Sequence, residues 1–384
     1  MGASMFKFVM PEVIFGSGSI KQAGESCARL GARNVLIVTD QGVIEAGWAE
    51  LTEKSCEEAG LSSILFSNVS INPTEEEAEM CAQIYLKNEC DALIGVGGGS
   101  AIDTAKAAAI LVTNGGQIRD YEGVDRISKP LPPLVMVSTT AGSGSEVSQF
   151  TVIVDVERQK KMTLVSKSLV PDIAIIDPDV LATKSARLTA ATGLDVLTHA
   201  IESFVSIAAT PLTDVHAKSA IKLSAQFLRP SVASRYNKEA KEKMAMASLH
   251  AGLAFSNAIL GAVHAMAHTI GGRYPFLHGD INAVLLPHVM EFNSIASPEK
   301  FKEIAILMGE DVTNLSTSAA GDKAISFVRK LALDIGAPLT LSEMGFEESS
   351  IPTISKIALL DACMITNPRD ISAEEVATLL HKAL

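Results

Sequence analysis

Cysteine is scarce and unpatterned in this chain. Cys27, Cys56, Cys81, Cys90 and Cys363 are odd in number and include no C-x-x-C pair, which argues against a disulfide framework or a zinc ribbon and makes a reducing compartment, the cytoplasm, the expected location. Long uninterrupted apolar runs are also lacking. The longest candidate, residues 251–272, is broken by Ser256, Asn257, His264 and His268, so no membrane span is expected. No basic segment followed by an apolar one opens the chain, so no export signal is expected. Gly2 follows Met1, but position 6 is Phe where a myristoylation signal needs Ser or Thr. We expect Met1 to Ser4 to be an added leader ahead of a natural Met5. Basic residues are outnumbered, 32 against 44 acidic, for a formal charge of −12. That is a poor electrostatic footprint for a polyanion, and nucleic acid is not an expected partner.

What is present is a core-forming composition, 47% hydrophobic over 384 residues, which suits two domains of ordinary size. The first half alternates short β-branched runs with helical stretches. Strands are expected at residues 34–39, 63–66, 92–96, 134–138 and 173–176, helices at 46–59 and 75–87, and a hairpin over 150–165 that turns between Asp155 and Lys160. The alternation predicts a parallel sheet covered by helices. Beyond about Ala182 the apolar residues recur at helical spacing, as in Leu194, Leu197, Thr198, Ile201 and Phe204. The expected division is therefore an α/β domain over residues 1–182 and an all-helical domain over residues 183–384. Pro178 is the last turn signal before the change, and the cleft between the halves is the expected ligand site. No repeat of solenoid period and no low-complexity segment is present.

Two loops carry phosphate-binding character. Gly97-Gly98-Gly99-Ser100 ends a strand and opens a helix, where bare amides and the positive end of the helix dipole attract phosphate oxygens. Ser100 stands where a third glycine would complete G-x-G-x-x-G, so this is not the standard Rossmann fingerprint. The alternative is a tight turn packed for structural reasons. A second run, from Ser138-Thr139-Thr140 through Ala141-Gly142-Ser143-Gly144-Ser145-Glu146, follows the next strand and offers hydroxyls and unobstructed amides at the same sheet edge. Asp40 closes the strand over residues 34–39, where a carboxylate accepts bonds from an adenosine ribose and repels a 2′-phosphate, favouring NAD over NADP. An ordinary turn aspartate is the other reading.

The second half carries ligating side chains. Asp195 and His199 are four apart on an expected helix and share a face. His264 and His268 repeat the spacing on an apolar helix, and His278 follows. A carboxylate with several histidines suits Fe(II) or Zn(II). His216, His250, His288 and His381 read as hydrogen-bonded histidines outside the site. Glu202 reads as a solvated helix glutamate, with support of a metal ligand as its other role.

Together these residues resemble the iron-containing (group III) alcohol dehydrogenase family along essentially the whole chain. The resemblance rests on residues 97–106 (GGGSAIDTAK), 139–147 (TTAGSGSEV), Gly193-Leu194-Asp195 through His199-Ala200-Ile201-Glu202, and 261–268 (GAVHAMAH). Leu286-Pro287-His288-Val289-Met290 and Asn367-Pro368-Arg369 also resemble family signatures. The resemblance implies a dehydroquinate synthase-like architecture, an N-terminal dinucleotide-binding α/β domain followed by a helical domain, with a metal at the cleft. It implies metal ligands at Asp195, His199, His264 and His278, and cofactor contacts at Asp40, Gly97, Gly98, Ser100, Thr139, Thr140, Ser143, Lys161 and Leu181. It implies a proton-transferring His268 beside the nicotinamide. The implied cofactors are Fe(II), with Zn(II) the other metal the ligands suit, and NAD. The implied reaction moves a hydride between NAD(H) and a small primary alcohol or aldehyde, and the implied assembly is a homo-oligomer, at least a dimer. Phe150, Phe255 and Cys363 are candidates for the pocket wall, with core packing the other reading.

Some positions depart from the commonest pattern. Thr269 and Leu277 stand where Pro is frequent, Ser143 where Thr is frequent, and the run Arg273-Tyr274-Pro275-Phe276 leaves the substrate open. Arg273 reads as a surface arginine, or as a partner for an anionic substrate group. Competing activities are glycerol-dehydrogenase-like polyol oxidation, a dehydroquinate-synthase-like lyase, a metal-dependent hydrolase, and a non-catalytic nucleotide-binding protein. Sustained NADH turnover separates the first reading from the lyase, and metal loss on changing His264 argues against the last.

Overall fold

The computed structural model describes residues 6–158 and 160–384, so the expectation about Met1 to Ser4 lies outside the described residues. The chain divides into two compact units, Met10–Lys184 and Ser185–Leu384, the latter joined by the described residues up to Val9. The domain expected over residues 1–182 thus differs at both ends from the compact unit.

The first unit is α/β. Its strands are β1 (Glu12–Phe15), β2 (Asn34–Val38), β3 (Ser62–Phe66), β4 (Ala92–Gly97), β5 (Gly123–Val124), β6 (Leu134–Ser138), β7 (Phe150–Asp155), β8 (Lys160–Val165) and β9 (Ile173–Ile176). Six form one sheet in the order β1-β9-β6-β4-β2-β3, and every pairing in it is parallel. Strands such as β4 and β6 are buried along their whole length, which is why they read as continuous apolar runs rather than alternating ones. The helix Glu75–Lys87 begins at a capping box in which Thr74 accepts from the Glu77 amide and Glu77 accepts from the Thr74 amide. The expected hairpin is present as antiparallel β7 and β8, joined by β5 in a second, three-stranded sheet. Sequence periodicity did not reveal β1, a four-residue edge strand whose partner β9 lies about 160 residues away. So short a segment takes its conformation from its neighbour rather than from its own pattern.

The order of the main sheet places β2 and β4 side by side. The chain leaves β2 toward β3 on one side and leaves β4 toward β6 on the other. Their carboxyl ends, at Asp40 and Gly97, therefore flank a topological switch point, the usual ligand crevice of an open α/β sheet.

The second unit is helical throughout its described elements. The helix Ala186–Val205 is buried almost end to end. No single helix among the described residues is long and apolar enough to cross a membrane; the helices Lys238–Ala258 and Ala262–Gly271 reach that length only as a pair bent by 100°. The bend passes through Ile259, a non-glycine residue at φ 60°. The carbonyls beside it are held by hydroxyls, Ser206 donating to Ala258 and Thr366 to Leu260, each at 2.6 Å. A strained backbone fixed this firmly is typical of a segment that aims a functional helix.

Two histidines left out of the site meet in this unit. The Nδ1 atoms of His216 and His250 are 2.9 Å apart, so one donates and the other accepts, and Phe8 stacks on the His216 ring. Burial draws both pKa values down, that of His250 to about 4 with help from the charge of His216. The unfolded chain then binds protons that the folded chain refuses, so stability is complete above pH ~6.5 and falls as pH drops toward ~4. We expect His250→Gln to remove about 2 kcal/mol of the acid-induced loss, after allowance for partial exposure. Urea denaturation of both proteins near pH 7 and near pH 4.5 checks this; equal losses in the two would rule it out.

Candidate active site

Each unit gathers one constellation. In the α/β unit the two small-residue loops abut. A Cβ added to Gly98 would come within 3.2–3.3 Å of the Thr140 side chain, and one added to Gly99 within 3.1–3.2 Å of Ser143. The Thr139 amide donates to the Gly97 carbonyl at 2.8 Å, while the buried Thr139 Oγ1 has no hydrogen-bond partner among the described residues. The Ser100 hydroxyl donates to the Ile71 carbonyl at 2.6 Å. Asp40 caps the short helix Gln41–Glu45 by accepting from the Val43 amide through Oδ1, and its Oδ2 would lie 3.3 Å from a Cβ on Gly97. The carboxylate thus serves the turn and faces the glycine loop at once. Leu181 is buried in the turn Pro178–Thr183 after β9, and Lys161 lies on β8. A cradle of glycines that a Cβ would fill, an unsatisfied hydroxyl and a carboxylate beside them fit a dinucleotide.

In the helical unit Asp195 Oδ1 is the centre of the cluster. His199 Nε2 is 3.7 Å away, His264 Nε2 3.6 Å and His278 Nε2 3.8 Å. These separations are long for hydrogen bonds and close to the ~3.0–3.5 Å between ligand atoms sharing an ion at ~2.1 Å. The structure brings all four expected ligands together. Gly279 is one reason: a Cβ there would sit 2.0 Å from the Ala191 carbonyl oxygen. Only glycine lets the helix His278–Asn293 approach the helix Ala186–Val205 closely enough to set His278 beside Asp195.

The electrostatics favour a cation. Burial would raise the Asp195 pKa, but the charges of His199, His264 and His278 around it hold it well below the usual carboxylate range. Burial would lower that of His264, but the nearby Asp195 carboxylate and the hydrogen bond to Glu202 carry it up to about 9. One carboxylate and three imidazoles in a buried pocket suit Fe(II) or Zn(II).

Glu202 corrects the sequence reading. It is not solvated but 3% exposed; Oε2 lies 2.6 Å from His264 Nδ1, and Oε1 accepts from the Val263 amide at 2.7 Å. The carboxylate fixes the Nδ1–H tautomer, which leaves Nε2 free to ligate, and it caps the positive end of the helix Ala262–Gly271. Asn367 accepts from the adjacent Ala262 amide at 3.2 Å and exchanges amide hydrogen bonds with Asn293. That accounts for the Asn367-Pro368-Arg369 segment as a support of the same helix.

The amino-acid pattern of each unit matches a known model. Residues 11–178 match the iron-containing alcohol dehydrogenase model, and residues 189–384 match the C-terminal model of the Fe-containing alcohol dehydrogenase family. The chain is 43% identical to a 1,3-propanediol dehydrogenase of Klebsiella pneumoniae over 386 aligned positions, covering all of both chains. The chain belongs to the iron-containing alcohol dehydrogenase family. It is also 41% identical to an NAD-dependent methanol dehydrogenase of Bacillus methanolicus, covering 98% of this chain and 99% of that one. A crystal structure of 1,3-propanediol oxidoreductase superposes with a TM-score of 0.97 at 43% identity, covering 99% of this chain and all of that one.

In this iron-containing alcohol dehydrogenase, two side chains at the site were missed by sequence reasoning. Asn282 donates to Asp195 Oδ1 at 2.7 Å and stands 3.2 Å from the Nε2 atoms of both His264 and His278. Its i+4 spacing from His278 was the available clue. Asp361 Oδ2 lies 2.9 Å from His268 Nδ1 and its Oδ1 accepts from the Cys363 amide; 93 residues separate the pair, so no local pattern points to it. The His268 ring stacks on that of His278 at 5.5 Å. Among the expected wall residues, Phe255 stacks on His199 at 4.5 Å and Cys363 is buried beside Asp361, whereas Phe150 starts β7 in the other unit. Arg273 is exposed, as a surface arginine would be.

Proposed function

We propose that this chain is a metal-dependent, NAD-linked alcohol dehydrogenase and aldehyde reductase whose substrates are small primary alcohols and the matching aldehydes. The observation that carries it is the ring of three imidazole Nε2 atoms about Asp195 Oδ1. The reading is supported by full-length relatives named for 1,3-propanediol and methanol. Bound at Asp195, His199, His264 and His278, iron(II) supplies Lewis-acid polarisation of a substrate oxygen, and NAD supplies the hydride acceptor. The chain's own part is orientation and charge. Glu202 keeps the His264 lone pair directed inward. His268 gives its Nδ1–H to Asp361, so Nε2 is the nitrogen that takes up and returns the alcohol proton. Gly97, Gly98, Ser100, Thr139, Thr140 and Ser143 seat the pyrophosphate, with Lys161 and Leu181 as further contacts. Asp40 selects the unphosphorylated ribose. A cytoplasmic setting and a homo-oligomer, at least a dimer, belong to the same proposal; the five cysteines are all free and buried, which suits a reducing compartment.

The test is anaerobic oxidation of NADH by Fe(II)-loaded protein against small neutral and charged aldehydes. We expect turnover that a chelator abolishes and that zinc loading changes in rate. Binding of metal and NADH without reduction of any aldehyde would sink the proposal.

A further inference from the structure

The first unit buries a complete lysine. Lys106 is 0% exposed on the helix Gly99–Asn114. Its Nζ donates to the carbonyls of Ser145 at 2.7 Å, Ser148 at 2.7 Å and Phe150 at 2.9 Å, with Ser148 Oγ at 3.4 Å. Every one of those acceptors belongs to residues 145–150. Burial pulls the amine down to about 8 against the opposing attraction of Asp103 and Glu146. Packing alone would be served at less cost by methionine, because a buried charge is tolerated only where its hydrogen bonds are filled. One turn earlier, Asp103 Oδ2 accepts from the Val152 amide at 3.2 Å and the Asp103 carbonyl accepts from the Thr151 hydroxyl at 2.9 Å.

The same helix therefore meets the same loop twice. At its N-terminus Gly98 and Gly99 lie against Thr140 and Ser143; two turns on, Lys106 grips the segment through which that loop leaves for β7. We infer that Lys106 is a positioning residue for the dinucleotide, its buried ammonium fixing the register of residues 139–145 against residues 97–100 so that both loops offer their polar groups to one pyrophosphate. The inference rests on the NAD-binding reading of those loops.

The test is Lys106→Met and Lys106→Gln in the full-length enzyme, with NADH affinity read by fluorescence titration. Metal content, aldehyde KM and kcat are followed beside it. Lys106→Met is expected to weaken NADH binding about tenfold or more, and Lys106→Gln, which keeps two donors, by less. Metal content and aldehyde KM stay within about twofold, because the cluster at Asp195 is untouched. A purely structural lysine would instead lower melting temperature and metal content together without selecting NADH. Unchanged NADH affinity in either folded variant overturns the inference. If neither variant folds, NADH affinity of the unaltered enzyme is titrated from about pH 7 to about pH 9.5, a range spanning the value of about 8 to which burial draws the Lys106 ammonium facing Asp103 and Glu146; affinity constant within about twofold overturns it. Absence of NADH binding by the unaltered chain overturns the cofactor reading itself, a result distinct from unchanged affinity in the variants.

Discussion

His264→Ala abolishes aldehyde reduction, by about 10³-fold or more, and the purified protein no longer retains iron. Two losses coincide at this position. One of three imidazoles about Asp195 Oδ1 disappears, and the buried Glu202 carboxylate loses its imidazole partner at 2.6 Å, which costs about 3–5 kcal/mol. The stability loss makes His264→Asn the companion variant, since an amide can still donate to Glu202. We expect His264→Asn to fold and bind NADH with unchanged affinity, because the glycine loops belong to the other unit, while iron content falls. Glu202→Gln, which keeps the shape and removes the charge, should lower metal affinity about 10–100-fold. Metal analysis and NADH fluorescence on the same samples decide the matter. Full iron retention by His264→Asn together with lost activity would mean that His264 acts on the substrate rather than on the metal.

Asp40→Ser opens the enzyme to NADPH. Serine keeps the cap on the Val43 amide, so the short helix after β2 is preserved and only the charge goes. A carboxylate a few ångströms from a 2′-phosphate opposes it by about 2–3 kcal/mol at a partly exposed site, so kcat/KM with NADPH relative to NADH should rise about 30–100-fold. Steady-state kinetics with both cofactors checks the ratio; an unchanged preference for NADH would place the ribose elsewhere and reduce Asp40 to a helix cap.

Much of this architecture was legible because its signals are local. The buried strands Ala92–Gly97 and Leu134–Ser138 are apolar along their length, the helix Glu75–Lys87 carries its own capping box, and both were placed within a residue of their observed ends. The candidate ligands were legible for the same reason. Asp195 and His199 share one helical face by period alone, and histidines on an apolar helix call for a partner. Glu202 was misjudged because a glutamate three residues after His199 looks the same whether its helix face meets solvent or another helix. Asp361 and Asn282 were not seen because what makes them functional is a neighbour.

The amino-acid pattern by itself determined the alternation of the central strands with helices, the two glycine- and serine-rich loops and the pairing of Asp195 with His199 on one helical face, all of which follow from periods and turn chemistry spanning a few residues. The tertiary structure alone decided that three imidazoles converge on one oxygen of Asp195, that Glu202 holds His264 across 62 positions and Asp361 holds His268 across 93, and that Lys106 reaches a loop 39 to 44 residues away. Such pairs depend on how closely helices pack, as Gly279 against Ala191 shows, and packing is a property of the whole core rather than of any stretch of the chain.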